Sequence, residues 1–315
     1  MKKEANLNKR IFVIFTIIGL LAALISPAFA ATFNSDHVLK QSAAVGDEYL
    51  KNTLFVGDSR IQGLSIACSS TTPATFFGLQ SCTASQIDTR EGSITVNGVA
   101  KTLTIIDAIK ADGRQFEQIY MMFGINELGS GGGTPAIIRG YRSAIEKVKA
   151  VQETAQICIM GVMPVFNSCS YVSGYTGTVA NPKILALNEA LVDLAEEMDV
   201  YYLDTYHLFA TSDGQLLPDA SKDGIHLYSS ANKQMMEYVK THAIPIKSVT
   251  PYSAGDLNGD GKINAADSVR LAHHLAGWSI SVRITAADCN GDGIVNAIDG
   301  VLLSQYLANW DVTLG

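Results

Sequence analysis

Leu54-Phe55-Val56-Gly57-Asp58-Ser59 reads as a short, unbroken apolar strand that stops at a glycine and delivers a hydroxyl at its end. A strand apolar on both faces belongs inside a parallel sheet covered on both sides. Further apolar runs at 119–123, 157–162 and 200–203 have the same character. Helical periodicity fills the gaps: 135–152, with Ile137, Ile138, Tyr141, Ile145 and Val148 on one stripe, then 182–198 and 229–242. Strands alternating with helices predict an α/β unit over 32–245, a parallel sheet between two helical layers, long enough for one core. Asn97-Gly98, flanked by Ile94-Thr95-Val96 and Val99, predicts a β-hairpin inserted into that pattern.

A Ser at the carboxyl end of a parallel strand, on a glycine corner leading into a helix, stands where open α/β sheets place ligands and nucleophiles. To act as a nucleophile it needs a base, an orienting carboxylate and donors for an oxyanion. The strand at 119–123 runs into Gly124-Ile125-Asn126-Glu127, which offers an Asn amide. Asp223-Gly224-Ile225-His226 offers a carboxylate and an imidazole three residues apart, so that Asp can bond one ring nitrogen while the other faces a substrate. Taken singly, each is more often a turn or a helix cap. Their occurrence together, in this order and at these places, favours chemistry.

The set resembles the SGNH, or GDSL-type, hydrolase family of esterases, over most of 50–243. Gly57-Asp58-Ser59 matches the family's first block, Gly124-Ile125-Asn126 its third and Asp223 to His226 its fifth. The resemblance implies a three-layer, flavodoxin-like α/β/α sheet. It also implies Ser59 as nucleophile, His226 as general base, Asp223 as its orienter, and the Ser59 N–H and Asn126 side chain as oxyanion donors. The second block, a backbone glycine donor, is weakly matched; Gly78 is assigned to it. Glu127 stands where the family has Asp, a change expected to be structural in effect. The pentapeptide nucleophile elbow of α/β-hydrolases is absent. Arg60 reads as a surface or structural Arg anchoring the turn, with steering of an anionic substrate as the rival reading. His207, the rival base, is read as packing or surface, without a matching carboxylate at the family spacing. The aromatic and polar loop 166–175 is a candidate sugar-lining segment.

Outside that unit, Asp256-Leu-Asn258-Gly-Asp260-Gly261-Lys262-Ile-Asn264-Ala-Ala-Asp267 recurs 32 positions later as Asp288-Cys-Asn290-Gly-Asp292-Gly293-Ile294-Val-Asn296-Ala-Ile-Asp299. Both copies place oxygen side chains at loop positions 1, 3, 5, 9 and 12, with Gly at 6, the spacing with which a loop wraps a hard cation. Lys262 and Ile294, at position 7, would contribute only their backbone carbonyls. Each loop is followed by an apolar helical stretch carrying Val269, Leu271 and Leu275, or Val301, Leu303 and Leu307. Loop plus one helix, twice, over about 255–311, resembles a type I dockerin. That resemblance implies a small all-α domain, two structural calcium ions and a cohesin module of a scaffoldin as partner. The residues at positions 10 and 11, which touch cohesin in that family, are Ala265-Ala266 and Ala297-Ile298 here, and their inequality departs from a symmetric two-way binding mode.

The chain begins with Lys2, Lys3, Lys9 and Arg10, then an uncharged apolar run over 11–25, then Ala28-Phe29-Ala30. This is the layout of a cleaved secretory signal over 1–30, the rival being an uncleaved anchor. No later segment is apolar enough to span, so the secreted product is expected to be soluble. The full chain carries a net charge of −7, and without residues 1–30 it carries −10, which excludes an electrostatic claim on nucleic acid or anionic lipid. Five cysteines lack metal spacing; Cys68 and Cys82 are candidates for a disulfide, Cys158 for a buried thiol. The expected organisation is a signal at 1–30, a hydrolase domain at 32–245, a linker at 246–255 and a dockerin at 256–311. The expected function is removal of acyl groups, most simply acetyl, from plant cell-wall polysaccharide by a secreted, cellulosome-tethered serine esterase. Two alternatives stand beside it: an esterase for envelope, exopolysaccharide or lipid-like esters, and a non-catalytic tethered module.

Overall fold

The computed structural model describes residues 33–166, 177–245, 253–278, 280, 282 and 284–315, and these fall into two compact units that divide between Ile244 and Pro245. The expected signal segment, Cys169, most of the aromatic loop and linker residues 246–252 lie outside the described residues.

In chain order the first unit comprises α1 (Asp47–Lys51), β1 (Thr53–Gly57), α2 (Ser59–Cys68), β2 (Thr75–Gly78), β3 (Gly92–Val96), β4 (Val99–Leu103), α3 (Ile105–Asp112), β5 (Gln118–Met122), α4 (Ile125–Gly129), α5 (Thr134–Val151), β6 (Gln156–Met160), α6 (Gly177–Glu197), β7 (Tyr201–Leu203), α7 (Thr205–Phe209) and α8 (Ser229–Thr241). Five strands form a parallel sheet in the order β2-β1-β5-β6-β7. Successive side chains alternate between two cores. Leu54, Val56, Ile119, Met121, Ile157 and Ile159 enter one with α3, α5 and α6. Phe55, Tyr120, Met122, Cys158 and Met160 enter the other with α2 and α8. That two-sided burial is why the strands read as continuous apolar runs. Chain order reverses between β1 and β5, and a crevice at that switch point is where doubly wound sheets hold ligands.

Three features depart from expectation. The edge strand β2 carries no continuous apolar signal, because at an edge only Phe77 of Thr75-Phe76-Phe77-Gly78 is fully buried. Helix α3 is short and is announced by its cap, the Thr104 side chain accepting the Asp107 N–H at 3.1 Å. Helix α6 begins five residues ahead of Pro182, which therefore lies inside the helix rather than at its start. The hairpin β3–β4 closes on Asn97 (φ 51°) and Gly98 (φ 78°), the left-handed pair of a type I′ turn.

The second unit holds α9 (Ala265–Leu275), α10 (Ile284–Ala287) and α11 (Ala297–Leu307). Among its described residues the fully buried apolar set is small: Leu257, Leu271, Ala286, Ala287, Cys289 and Leu303. Part of the expected apolar stripe faces outward instead, Val269 at 54%, Val301 at 57% and Leu275 at 40% exposure. Cys68 and Cys82 are free, buried thiols rather than a disulfide. The Cys68 thiol faces the Asn232 carbonyl, and burial pushes the Cys82 thiol up to about 12, which makes it inert. No described helix is long and apolar enough to cross a membrane.

Candidate active site

Ser59 opens α2 directly after the β1 corner. Glycine is required at 57 because a Cβ there would run into the Met122 carbonyl and the Ile61 side chain. Asp58 caps the helix, its Oδ1 accepting the Arg60 N–H at 2.8 Å. The Ser59 N–H, in the first turn, has no intrahelical acceptor and is available to an incoming oxygen. Its Oγ lies 3.0 Å from His226 Nε2.

His226 is held by a turn that Asp223 organises. Asp223 Oδ1 accepts the backbone N–H of Ile225 (2.9 Å) and His226 (2.8 Å), and Oδ2 faces His226 Nδ1 at 2.7 Å. Ser221 donates to the same carboxylate and accepts the Gly224 N–H. Gly224 needs its freedom: φ is 85°, and a Cβ would meet Phe166, whose own N–H donates to the Gly224 carbonyl. Burial pulls the Asp223 carboxyl upward, but the His226 ring and the His226 and Ile225 N–H groups outweigh it and hold it down at about 2. An ionised carboxylate on Nδ1 leaves Nε2 as the proton acceptor facing Ser59. Such a chain can take the hydroxyl proton as the oxygen attacks a carbonyl.

Asn126 stands on α4, beyond β5, beside the β1 corner. Its Nδ2 donates to Asp58 Oδ2 and to the Cys82 carbonyl, both at 3.1 Å, so in this state both amide hydrogens have acceptors. Serving an oxyanion requires one of those bonds to yield. Glu127, the departure from the family's Asp, spans two segments: Oε1 accepts the Ala84 N–H (2.8 Å) and Oε2 the Gly124 N–H (3.0 Å). It thereby joins the Asn126 turn to the segment whose Cys82 carbonyl holds Asn126. Gly78 pairs in register with Gly57. A Cβ there would lie 2.7 Å from the Gln62 backbone nitrogen and 3.1 Å from the Asp58 backbone oxygen, so glycine at 78 lets α2 pack closely.

Asp58 and Cys82 were not among the expected site residues. The signal for Asp58 was present, an Asp immediately before a helix-opening Ser; the Cys82 carbonyl has no signal in sequence at all. Burial drives the Asp58 carboxyl up to about 6, against the pull of Arg60 and its N–H. Because the folded state holds that proton more tightly than an unfolded carboxyl at 3.8, Asp58 subtracts stability as pH rises through the window from 3.8 to about 6. Asp58→Asn is expected to flatten that slope in urea melts taken at successive pH values. Parallel slopes for the two chains would refute it.

In the second unit, the twelve-residue loops fold around their own oxygens. Asp256 accepts the N–H of Gly259 and Gly261, and Asp288 those of Asp292 and Gly293. Asp267 and Asp299, fully buried, each accept backbone N–H groups from positions 3 and 9 of their loops. Asn264 and Asn296 cap α9 and α11. Among the described residues no three His, Cys, Asp or Glu side chains cluster for a metal. The fit to calcium therefore rests on the donor set, which is oxygen only, and on two buried carboxylates that a cation would neutralise.

A model of the GDSL-like lipase/acylhydrolase family matches residues 55–233, more than half of the chain. The chain belongs to the GDSL-like lipase/acylhydrolase family. A type I dockerin model matches residues 254–308. No curated protein matches. Among solved structures, a GDSL-like lipase from Bacteroides thetaiotaomicron is 16% identical, with a TM-score of 0.47, over 62% of this chain and 88% of that one. A member of the lipolytic G-D-S-L family from Veillonella parvula is 18% identical, with a TM-score of 0.41, over 59% of this chain and 94% of that one.

The GDSL acylhydrolase unit is thus joined to a dockerin, the composition of a cellulosome-type ester hydrolase. Type I dockerins bind calcium and dock on cohesin modules, outside the cell. Two secondary readings of the acylhydrolase unit change. His207 does have a carboxylate at the same spacing: Asp204 Oδ2 faces its Nδ1 at 2.6 Å and Oδ1 accepts its N–H. That pair caps the start of α7, and the His207 ring packs against Phe33, with no described bond to Ser59. Arg60 is not a surface residue; only 3% of it is exposed, and its charge acts on Asp58.

Proposed function

We propose that this acylhydrolase is a secreted, cellulosome-associated carbohydrate esterase that removes acyl groups, principally acetyl, from plant cell-wall polysaccharide. The observation that carries the mechanism is the hydrogen-bonded series Asp223–His226–Ser59. His226 Nε2 takes the Ser59 proton as Oγ attacks the ester carbonyl, and Asp223 stabilises the imidazolium that forms. The Ser59 N–H and Asn126 Nδ2 receive the oxyanion, the amide exchanging one of its present acceptors for it. Collapse breaks the C–O bond to the sugar, whose oxygen takes the proton from His226. Water then attacks the acyl-Ser59 ester with His226 again as base, releasing the acid.

Around that chemistry, residues 1–30 direct export, 32–245 form the catalytic domain, 246–255 the linker and 256–311 the dockerin. Each dockerin loop holds one calcium ion through Asp256, Asn258, Asp260, Asn264 and Asp267, or Asp288, Asn290, Asp292, Asn296 and Asp299, with the Lys262 and Ile294 carbonyls. The polysaccharide assignment is supported by the company of a dockerin and an esterase unit. Its test is acetate release by the full chain from acetylated xylan, glucomannan and pectin. Release from at least one, absent in Ser59→Ala, is expected. Hydrolysis confined to long-chain p-nitrophenyl esters would overturn the polysaccharide reading.

A further inference from the structure

Beside Asn126 lies a pocket of about 320 Å³, walled by the segment after β2 and by the α4–α5 connection. Both walls follow the carboxyl ends of strands, β2 and β5, and the link to the Ser59 corner runs through Asn126, whose side chain donates to Asp58. Hydroxyls come from both walls: Thr83 and Ser85, which share a single bond at 3.1 Å, from one and Ser130 from the other. The start of α5 adds an apolar lining, Ala136 and buried Ile137. Ser130 Oγ donates to the Asn126 carbonyl at 2.7 Å, so the pocket wall and the candidate oxyanion residue are one bonded unit.

We infer that this pocket is a subsite for one neutral sugar ring on the alcohol side of the scissile ester. The inference rests on the esterase reading above. Three properties select that ligand. Three hydroxyl oxygens that can accept, with one hydrogen of the Thr83–Ser85 pair left to donate, match the mixed donor–acceptor rim of a sugar, which an acyl chain cannot use. The apolar lining offers a surface for the C–H face of the ring. Glu127 in the wall has both oxygens engaged by backbone N–H groups, and its negative charge disfavours uronate or phosphate. Size agrees: the volume is near the lower end of the roughly 300–1,000 Å³ typical of small-molecule sites.

The test separates binding from turnover by using the full chain carrying Ser59→Ala, titrated calorimetrically with acetylated xylotriose. Adding Ala136→Phe or Ser85→Leu, each filling the pocket from a different exposed wall, is expected to weaken binding by about tenfold or more. Unchanged affinity in both variants, or no binding to the parent, overturns the subsite. A third outcome also overturns it: Ala136→Phe in the Ser59 chain lowering kcat/KM for p-nitrophenyl octanoate more than for acetylated xylotriose would make the pocket an acyl site. Failure of the esterase reading registers separately, as absence of hydrolysis by the Ser59 chain whatever the titration shows.

Discussion

Ser59→Ala is expected to lower kcat for p-nitrophenyl acetate by roughly 10⁴- to 10⁶-fold while leaving the fold intact. The hydroxyl is the atom that His226 Nε2 faces at 3.0 Å, and in the proposed mechanism no acyl-enzyme forms without it. What remains is the small catalysis by oxyanion donors and binding alone. Stability should barely move, because Ser59 is half-buried and the α2 cap belongs to Asp58. Asp223→Asn is the informative companion. It keeps the shape of the turn but replaces the charge on His226 Nδ1, so a loss of roughly 10⁴-fold in kcat is expected. The measurement is initial rate and burst amplitude with the full chain. Equal rates in wild type and Ser59→Ala would remove the proposed mechanism.

Calcium removal is expected to unfold the dockerin and abolish cohesin binding while p-nitrophenyl acetate hydrolysis persists. Among its described residues the unit has six fully buried apolar side chains, three of them the small Ala286, Ala287 and Cys289, too little core for a chain of this size to stand without a staple. Asp267 and Asp299 are wholly buried beside the other loop carboxylates, and a buried carboxylate charge is costly unless a cation sits against it. Free calcium at about a hundred times its Kd contributes about 2.7 kcal/mol per site, so two sites supply as much as a small domain's whole stability. Excess chelator, or Asp256→Ala with Asp288→Ala, should therefore erase helical circular dichroism from this unit and abolish cohesin pull-down. Cohesin capture that survives chelator would sink this account.

Much of the site was legible because its parts are local. Asp223 to His226 is one turn, and Asp58-Ser59 is a cap and the first residue of a helix, so spacing alone exposes them. The loops after Asp256 and Asp288 are legible for the same reason. Legibility fails where function depends on segments distant in the chain. Asn126 could be named from its motif, yet its engagement by Asp58 and by the Cys82 carbonyl could not, since a backbone carbonyl leaves no mark in sequence. Asp204 and His207 have the same spacing as Asp223 and His226; what distinguishes them is the distance to Ser59, which only folding sets.

The sequence by itself determined the parallel α/β sheet, the candidate nucleophile, base and carboxylate, and the cation-loop repeat. Periodicity, glycine corners and short-range spacing are properties of neighbouring residues. The tertiary structure alone decided that Arg60 and Asp58 are buried together, that Cys68 and Cys82 are free thiols, and that β2 closes one edge. It also decided that Thr83, Ser85 and Ser130 line one pocket beside Asn126. Burial raises a carboxylate's proton affinity and a pocket acquires its polarity only when residues remote in the chain are packed together. No window along the sequence contains that packing.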